Sequence, residues 1–303
     1  MRQRTIGSVS VSVIGLGTNN FGFLMAEDEV LPVVDAALEA GINFFDTSDS
    51  YLTSEERCGA ALGSRRDDIV MATKFGSPVD DEFTGGAAAD YVRRAVERSL
   101  RQLGTDRIDL YQLHRPDDSV PIAETLGALD ELVREGKVRE IGCSNFSATQ
   151  LREAEAAAGG GARFVCVQNQ YNLLERDDEA EVLPTCAELG LAYLPYFPLA
   201  SGLLTGKYRR GEAVPDGTRV QKWGMADRVL TDENFDVLER LEAWAAERGH
   251  TVLELAFAWL LATPEVASVI AGATSPAQVA SNAAAGAWEL TADEADEVRR
   301  LVG

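Results

Sequence analysis

Short apolar runs rich in β-forming residues recur along the chain, and a segment with helical spacing of its apolar positions follows most of them. Strands that alternate with helices in this way are typical of a parallel sheet. Eight such runs predict strands, at residues 11–16, 42–45, 69–72, 108–113, 138–143, 164–167, 191–194 and 266–270. The helical segments are clearest at residues 88–103, 123–135, 180–189 and 234–248.

The number of strands favours a closed barrel over an open sheet. Eight strand–helix units in 303 residues suit an α/β fold of the (β/α)₈ TIM-barrel type, which needs roughly 250 residues. An open dinucleotide-binding sheet would carry G-x-G-x-x-G after its first strand, and Gly15-Leu16-Gly17 is not followed by the third glycine. No linker or change of composition divides the chain, so we expect one barrel domain over residues 1–303.

Three segments depart from a plain eightfold repeat. Residues 4–13 predict an N-terminal β-hairpin that turns about Gly7-Ser8 and precedes the barrel. The segment 199–231, after the seventh strand, is too long and too polar for an ordinary connection, and loops of that length usually carry function. Residues 251–261 and 291–301 predict extra helices near the C-terminus.

Composition and charge narrow the class of partner. The hydrophobic share of 46% and the charged share of 25% are those of a globular protein. A net charge of −21 repels nucleic-acid phosphates and anionic lipid, so we expect neither nucleic-acid nor membrane binding. Neither a signal peptide nor an apolar run of about 20 residues is visible. We expect a cytoplasmic monomer or weak homo-oligomer without a metal, with buried free thiols at four widely spaced cysteines: Cys58, Cys143, Cys166 and Cys186.

Ionisable side chains follow three consecutive predicted strands. Asp46, Lys74 and His114 stand at or just beyond the ends of these strands, and Tyr51 lies in the loop after Asp46. A single charged residue at a strand end commonly marks only where the strand reaches solvent. Active sites of (β/α)₈ barrels, however, lie at the C-terminal ends of the strands, so three such residues in succession predict a site.

These four residue types suit proton transfer to a polarised carbonyl. A tyrosine has a pKa near 10, which a neighbouring lysine ammonium lowers. An aspartate keeps the lysine charged, and a neutral histidine can donate a hydrogen bond to a substrate oxygen. The set offers a general acid and no hydrolytic nucleophile. Because it contains no reductant, it implies a hydride-carrying cofactor.

Three segments, 44–51, 72–76 and 109–114, resemble the tetrad motifs of the aldo-keto reductase superfamily. Further similar segments follow in family order, at residues 136–146, 167–172, 198–208 and 270–282. The resemblance implies the barrel, NADP(H) as cofactor, and reduction of an aldehyde, ketone or sugar carbonyl to the alcohol, or the reverse, in class EC 1.1.1. It also implies a catalytic tetrad in which Tyr51 transfers the proton, Lys74 and Asp46 tune the tyrosine, and His114 orients the carbonyl.

The resemblance also implies three groups of cofactor-binding residues. The group at the nicotinamide, which binds the carboxamide or stacks on the ring, comprises Ser144, Asn145, Gln168 and Tyr196. The group at the pyrophosphate comprises Pro198, Leu199, Ser201, Gly202, Leu203 and Lys207. The group at the adenosine end, where a helix N-terminus also favours an anion, comprises Gly272, Thr274, Ser275, Gln278 and Asn282.

Two positions depart from the family pattern. Many relatives carry an arginine or lysine after the glycine that matches Gly272, where it pairs with the 2′-phosphate, whereas this chain has Ala273-Thr274-Ser275. We therefore expect a weaker preference for NADPH over NADH. The residues of the long segment that are candidates to supply the charge are Arg209, Arg210, Arg219 and Lys222. Leu52 replaces a glycine that often follows the tetrad tyrosine, which we expect to reshape the pocket.

The sequence predicts a small-molecule carbonyl or alcohol substrate without selecting one or fixing the direction. The residues that we expect near the substrate are Asn19, Asn20, Phe21, Phe23, Leu52, Arg115 and Trp223. Two alternatives stay open. One is an aldolase or lyase that uses Lys74 as a Schiff-base nucleophile, which requires an unpaired lysine. The other is a catalytically idle, cofactor-sensing module that binds a partner.

Overall fold

The computed structural model describes residues 1–303 and contains ten strands and thirteen α-helices. The strands are β1 (Gln3–Ile6), β2 (Val9–Ser12), β3 (Ile14–Gly17), β4 (Phe44–Asp46), β5 (Val70–Phe75), β6 (Ile108–Leu113), β7 (Val138–Ser144), β8 (Phe164–Gln170), β9 (Ala192–Tyr196) and β10 (Val269–Gly272). The helices are α1 (Asn19–Phe23), α2 (Glu27–Glu39), α3 (Ser54–Leu62), α4 (Ala89–Leu103), α5 (Ile122–Arg134), α6 (Ala148–Ala157), α7 (Val182–Leu189), α8 (Arg219–Lys222), α9 (Ala226–Val229), α10 (Asp232–Ala246), α11 (Val252–Leu261), α12 (Pro276–Ala285) and α13 (Ala292–Val302).

Eight parallel strands form the predicted barrel, in the order β10-β3-β4-β5-β6-β7-β8-β9. The two ends of this sheet meet through Tyr193 of β9. Its N–H donates to the carbonyl of Glu265 at 2.7 Å, and its carbonyl accepts from the N–H of Ala267 at 3.0 Å. Every residue of β5 and of β6 is buried, as expected for strands that are covered by helices outside and by core side chains inside. The (β/α)₈ prediction is therefore confirmed.

The predicted N-terminal hairpin closes one end of the barrel. Strands β1 and β2 pair so that Ile6 faces Val9, which leaves Gly7-Ser8 as the two-residue turn, with Gly7 at φ +54°. Ile6, Val9 and Val11 pack in one cluster with side chains from the barrel interior, including Phe44. Because the hairpin covers the N-terminal end, the interior of the barrel is left to open at the C-terminal ends of the strands.

The predicted first barrel strand, residues 11–16, needs correction. The chain leaves the hairpin at Ser12, the last residue of β2, and enters the barrel at Ile14, the first residue of β3. The Ser12 hydroxyl donates to the carbonyl of Ile14 at 2.7 Å across this change of direction. The sequence shows one continuous apolar run because both strands bury these side chains, so the pattern does not mark where the pairing partner changes.

The segments outside the eightfold repeat follow the prediction in part. The extra helices predicted at 251–261 and 291–301 are α11 and α13, and Thr251 and Thr291 cap them. The segment 199–231 is not a simple loop, since it contains a 3₁₀ turn (Ala200–Thr205) and the short helices α8 and α9.

The four cysteines are all buried and unpaired. None of the helices combines the length and the apolar character that a bilayer crossing requires.

Candidate active site

The four predicted tetrad residues converge at the C-terminal end of the barrel. The Nζ of Lys74 donates to Asp46 Oδ2 at 2.6 Å and to the carbonyl of Thr47 at 2.9 Å. It also lies 5.3 Å from the centre of the Tyr51 ring. The His114 ring packs edge-on against Tyr51 at 5.9 Å between ring centres. An ion pair therefore lies beside a tyrosine and a histidine that contact each other.

Two glutamines complete the surroundings of Asp46. Gln168 Nε2 donates to Asp46 Oδ1 at 2.9 Å, and Gln112 Nε2 approaches the same oxygen at 3.2 Å. The sequence predicts that Gln168 lies near the nicotinamide, and the structure shows that it contacts Asp46. Gln112 was not singled out, although it lies inside β6, two residues before His114. A polar residue inside an apolar strand was the signal that could have found it.

The ion pair keeps Lys74 charged in spite of its burial. Burial acts to lower the pKa of Lys74, but the Asp46 carboxylate and the Tyr51 hydroxyl outweigh it and leave the pKa above its ordinary value. A Schiff-base nucleophile has to be a neutral amine. Because Lys74 is paired and charged, it does not meet this requirement of the aldolase alternative.

Burial acts in opposite directions on Tyr51 and His114. It raises the pKa of Tyr51, while the cations of Lys74 and Arg219 act to lower it without overcoming burial. The contribution of Lys74 has the predicted sign, but the net pKa of the tyrosine is above its ordinary value. Burial lowers the pKa of His114 to about 3, and Lys74 and Arg115 act in the same direction. His114 is therefore neutral at physiological pH, and the neutral ring still carries one N–H that can donate to a carbonyl oxygen.

These residues border a first cavity of about 360 Å³. Asp46, Tyr51 and His114 line it, and Lys74 lies behind its wall. The predicted nicotinamide group lines it as well: Ser144, Asn145, Gln168 and Tyr196. Of the residues expected near the substrate, those on its wall are Asn19, Phe23 and Arg115. The others lie elsewhere, namely Asn20 on a neighbouring cavity, Phe21 in the core, and Leu52 and Trp223 exposed.

The residues of the predicted nicotinamide group form hydrogen bonds with one another and with His114. Ser144 Oγ donates to the carbonyl of Gln168 at 2.6 Å, and Tyr196 donates from its hydroxyl to Asn145 Oδ1 at 2.8 Å. Asn145 Nδ2 donates to the carbonyl of His114 at 2.9 Å. This wall is therefore held in place relative to the tetrad.

A second cavity of about 580 Å³ continues from the first. The residues that line both cavities are Phe197, Arg219, Ile270 and Gly272. The predicted cofactor residues on the second cavity are Pro198, Leu199, Ser201, Gly202, Lys207, Gly272, Thr274, Gln278 and Asn282. Two others do not line it. Leu203 is fully buried in the core, and Ser275 caps α12 by accepting from the N–H of Gln278.

Arg219 is the candidate from the long segment that reaches these cavities. Its guanidinium donates to Asn19 Oδ1 at 3.0 Å and to Asn20 Oδ1 at 2.8 Å, and it has no carboxylate partner. By contrast, Arg209 and Arg210 form salt bridges with acidic residues of α10. The fourth candidate, Lys222, is exposed and lines neither cavity.

A second cation lies in the same cavity. Burial lowers the pKa of Lys207, and the nearby charge of Arg219 lowers it further. Burial also lowers the pKa of Arg219. Two neighbouring cations without acidic partners, in a chain of net charge −21, suit a bound anion.

Backbone strain is concentrated around the two cavities. The non-glycine residues with positive φ are Leu52, Asn145, Phe197, Ala200 and Ser201. All of them lie in the segments that follow β4, β7 and β9. Such conformations cost on the order of 1–3 kcal/mol each and cluster at functional sites, where the surroundings enforce them.

The chain is similar to a known family and to named proteins of other organisms. Residues 13–302 match the model of the Aldo/keto reductase family. An uncharacterized oxidoreductase of Bacillus subtilis, YrpG, is 39% identical over 86% of this chain and 83% of its own. The probable aldo-keto reductase 1 of Glycine max is 35% identical over 96% and 86%, and the aldo-keto reductase str7 of Strobilurus tenacellus is 35% identical over 98% and 88%.

The chain therefore belongs to the aldo/keto reductase family. The family and the names of these relatives support an oxidoreductase. The resemblance inferred from the motifs is thus confirmed.

Proposed function

We propose that this protein is an NADP(H)-dependent oxidoreductase that reduces the carbonyl of an aldehyde, ketone or sugar, or oxidises the corresponding alcohol. One observation carries the proposal. The buried Lys74–Asp46 ion pair lies beside Tyr51 and a neutral His114, in a cavity that continues into one with two unpaired cations. The ion pair with Tyr51 and His114 suits proton transfer to a carbonyl oxygen. The cavity with the two cations suits a dinucleotide.

The residues of the second cavity fit the cofactor. Lys207 and Arg219 offer positive charge to a pyrophosphate. Gly202 has φ +95°, a conformation that side chains rarely adopt, and a Cβ there would lie 2.8 Å from Lys207 Nζ and displace the lysine. Thr274 and Gln278 stand at the start of α12, where the helix N-terminus favours a phosphate. On the wall of the first cavity, the residues that would hold the nicotinamide are Ser144, Asn145, Gln168 and Tyr196.

The residues of the chain divide the proton chemistry among them. A bound nicotinamide cofactor supplies the hydride. His114 donates a hydrogen bond to the substrate oxygen and orients it. The hydroxyl of Tyr51 gives its proton to that oxygen, and the Lys74 ammonium stabilises the negative charge that develops on the phenolic oxygen. Asp46 holds Lys74 in place.

The substitution Tyr51→Phe tests this assignment, because it removes the proton donor and keeps the ring. We expect turnover of 4-nitrobenzaldehyde with NADPH to fall by about 10²–10⁴-fold, the usual contribution of a general acid. The Kd for NADPH should stay close to that of the unmodified protein, since the hydroxyl is assigned to the substrate. Turnover at the unmodified rate would reject the role of Tyr51.

A further inference from the structure

The hydroxyl of Ser48 connects His114 to a buried carboxyl group outside the tetrad. Ser48 Oγ lies 3.1 Å from His114 Nδ1 and 3.3 Å from Asp49 Oδ1. It also lies 2.9 Å from Ser50 Oγ, and it accepts a hydrogen bond from the Ser50 N–H at 3.3 Å. The Ser48 side chain is fully buried. Because His114 Nδ1 faces Ser48, Nε2 is the ring nitrogen left for a substrate.

Asp49 lies in the protein interior, in contact with almost no solvent. Glu55 of α3, Arg98 and Tyr91 of α4, and Tyr111 of β6 surround it. Burial and the neighbouring Glu55 raise the pKa of Asp49 to about 7, although Arg98 acts in the opposite direction. Arg98 hydrogen-bonds the backbone carbonyl of Asp49, at 3.3 Å, rather than its carboxyl group. Asp49 therefore lacks a salt bridge that would keep it ionised.

A serine hydroxyl carries only one hydrogen, so Ser48 can donate to only one of His114 Nδ1, the Asp49 carboxyl group and the Ser50 hydroxyl. An ionised carboxylate is the strongest acceptor of the three. When Asp49 is ionised, its carboxylate accepts the Ser48 hydrogen, and Ser48 Oγ then accepts from the Nδ1–H of His114. That tautomer leaves Nε2 as an acceptor. When Asp49 is protonated, it can donate to Ser48, which then donates to Nδ1. The hydrogen of the neutral ring is in that case on Nε2, where it can be donated to a carbonyl oxygen.

We propose that Asp49 is a positioning residue that acts through Ser48 to determine which ring nitrogen of His114 carries the hydrogen, and that protonated Asp49 selects the tautomer needed for carbonyl reduction. The catalytic part of this inference rests on the proposed function. The tautomer itself does not, and it can be measured without a substrate. Since the pKa of Asp49 is about 7, the change of tautomer should occur near neutral pH.

Nitrogen NMR of the full-length protein with ¹⁵N-labelled histidine tests the tautomer directly. The chain has two histidines, and His250, which stacks on Trp288, is the internal reference. Because the pKa of His114 is about 3, its ring stays neutral and the spectra report the tautomer alone. We expect Nε2–H at about pH 6 and a shift towards Nδ1–H by about pH 8.5. A tautomer that does not change over this range would overturn the proposal.

Variants then separate a positioning role from a structural one. Asp49→Asn cannot ionise and can donate to Ser48, so we expect Nε2–H at both pH values. Ser48→Ala should remove the pH response of His114 even if the first variant folds poorly, and Ser48→Thr should restore it. Glu55→Gln is the matched control, because it removes a neighbouring buried carboxylate that does not contact Ser48. The Glu55→Gln protein should keep the pH-dependent change of the His114 tautomer, and the midpoint of that change should move to lower pH.

The same variants connect the tautomer to catalysis. We expect kcat/KM for 4-nitrobenzaldehyde reduction to fall roughly tenfold as the pH rises through about 7, the worth of one hydrogen bond. The Asp49→Asn protein should show no such fall, whereas Glu55→Gln should show it at lower pH. An Asp49→Asn profile that coincides with that of the unmodified protein would overturn the catalytic part. If instead the Tyr51→Phe protein were fully active while the tautomer responded as expected, the proposed function would fail and the tautomer control would stand.

Discussion

Burial acts on the pKa values of Lys74, Tyr51 and His114 in the direction of the neutral form. The charged neighbours of each residue then oppose or reinforce burial, and together they determine whether it is charged or neutral. Lys74 stays charged because the Asp46 carboxylate is 2.6 Å from its nitrogen. His114 loses its charge because burial lowers its pKa and the nearby cations, Lys74 and Arg115, act in the same direction. Tyr51 keeps its proton because burial outweighs the same lysine. One low-dielectric environment thus yields a buried cation, a neutral donor and an acid beside one cavity.

Substitution of Lys74 by methionine tests its effect on Tyr51. Loss of the ammonium leaves burial unopposed by the lysine charge, so the pKa of Tyr51 should rise further. We expect kcat for reduction to fall by about 10²-fold or more, and the alkaline limb of the pH profile that belongs to Tyr51 to move to higher pH. The profile of kcat against pH, measured with saturating NADPH, checks this.

A lysine of the second cavity provides the control for that experiment. Lys207→Met should weaken NADPH binding and leave the alkaline limb where it is, because Lys207 lies among the expected pyrophosphate residues. If Lys74→Met behaved in the same way, with only the affinity for NADPH reduced, Lys74 would belong to the cofactor site.

The sequence predicted the tetrad more readily than the residues that support it. Asp46 and Lys74 stand at or next to the ends of apolar runs, where a local pattern reveals them. Gln112 and Ser48 act on partners that are 66 residues away along the chain, and no local pattern shows which side chain faces which. Asp49 was visible as a polar residue in a loop, but its burial depends on how α3 and α4 pack.

At the level of elements, the strands that carry the site are longer than their apolar runs. The sequence predicted a strand at residues 69–72, whereas β5 continues to Phe75. The added residues include Thr73 and Lys74, which are buried because Glu55 and Asp46 satisfy them. Strand β8 likewise continues beyond the predicted 164–167 to Gln170. The strand predicted from the sequence ends where polar residues interrupt the apolar run. The strand in the structure continues, because residues that are distant along the chain form hydrogen bonds with these polar side chains.

The long segment after β9 matters for function because it brings Arg219 to the junction of the two cavities. We propose that Arg219 binds the pyrophosphate, which NADPH and NADH share. Arg219→Gln should therefore weaken the binding of both cofactors by the same factor, about 10-fold or more for the loss of a charge-assisted contact. Kd values for the two cofactors, measured at low and at moderate salt, check this. Arg209→Gln is the matched control, since Arg209 pairs with Glu242.

We assign the preference between the two cofactors to a different element, the start of α12, as part of the proposed function. Thr274 offers a hydroxyl and no charge, so we expect NADPH to be preferred over NADH only modestly, and Thr274→Arg to widen the preference. A loss in the Arg219→Gln protein confined to NADPH would place Arg219 at the 2′-phosphate instead. Equal efficiency with both cofactors, or a clear preference for NADH in the unmodified protein, would reject the NADP(H) assignment and leave the reductase intact.

At the scale of the whole molecule, the charge of −21 acts against an anionic cofactor. At 0.1 M salt, ions largely screen the repulsion between charges that are more than about 10 Å apart, whereas short contacts in a cavity are screened less. We therefore expect cofactor binding to depend on local cations such as Lys207 and Arg219. The barrel provides the place for them, because the hairpin covers one end and leaves the interior to open at the C-terminal end.

The buried carboxyl of Asp49 should also make the stability of the whole chain depend on pH. The folded chain keeps this proton up to about pH 7, whereas an unfolded chain releases it near pH 4. The stabilising contribution is therefore complete below about pH 4 and is lost as the pH rises to about 7, and the difference between the two pKa values corresponds to at most about 4 kcal/mol. Asparagine does not titrate, so the free energy of unfolding of Asp49→Asn, relative to the unmodified protein, should increase between about pH 5 and pH 8. Urea unfolding at these pH values measures it, with the exposed Asp81→Asn as control, and a relative stability that stays constant would show that Asp49 ionises in the folded protein as it does in water.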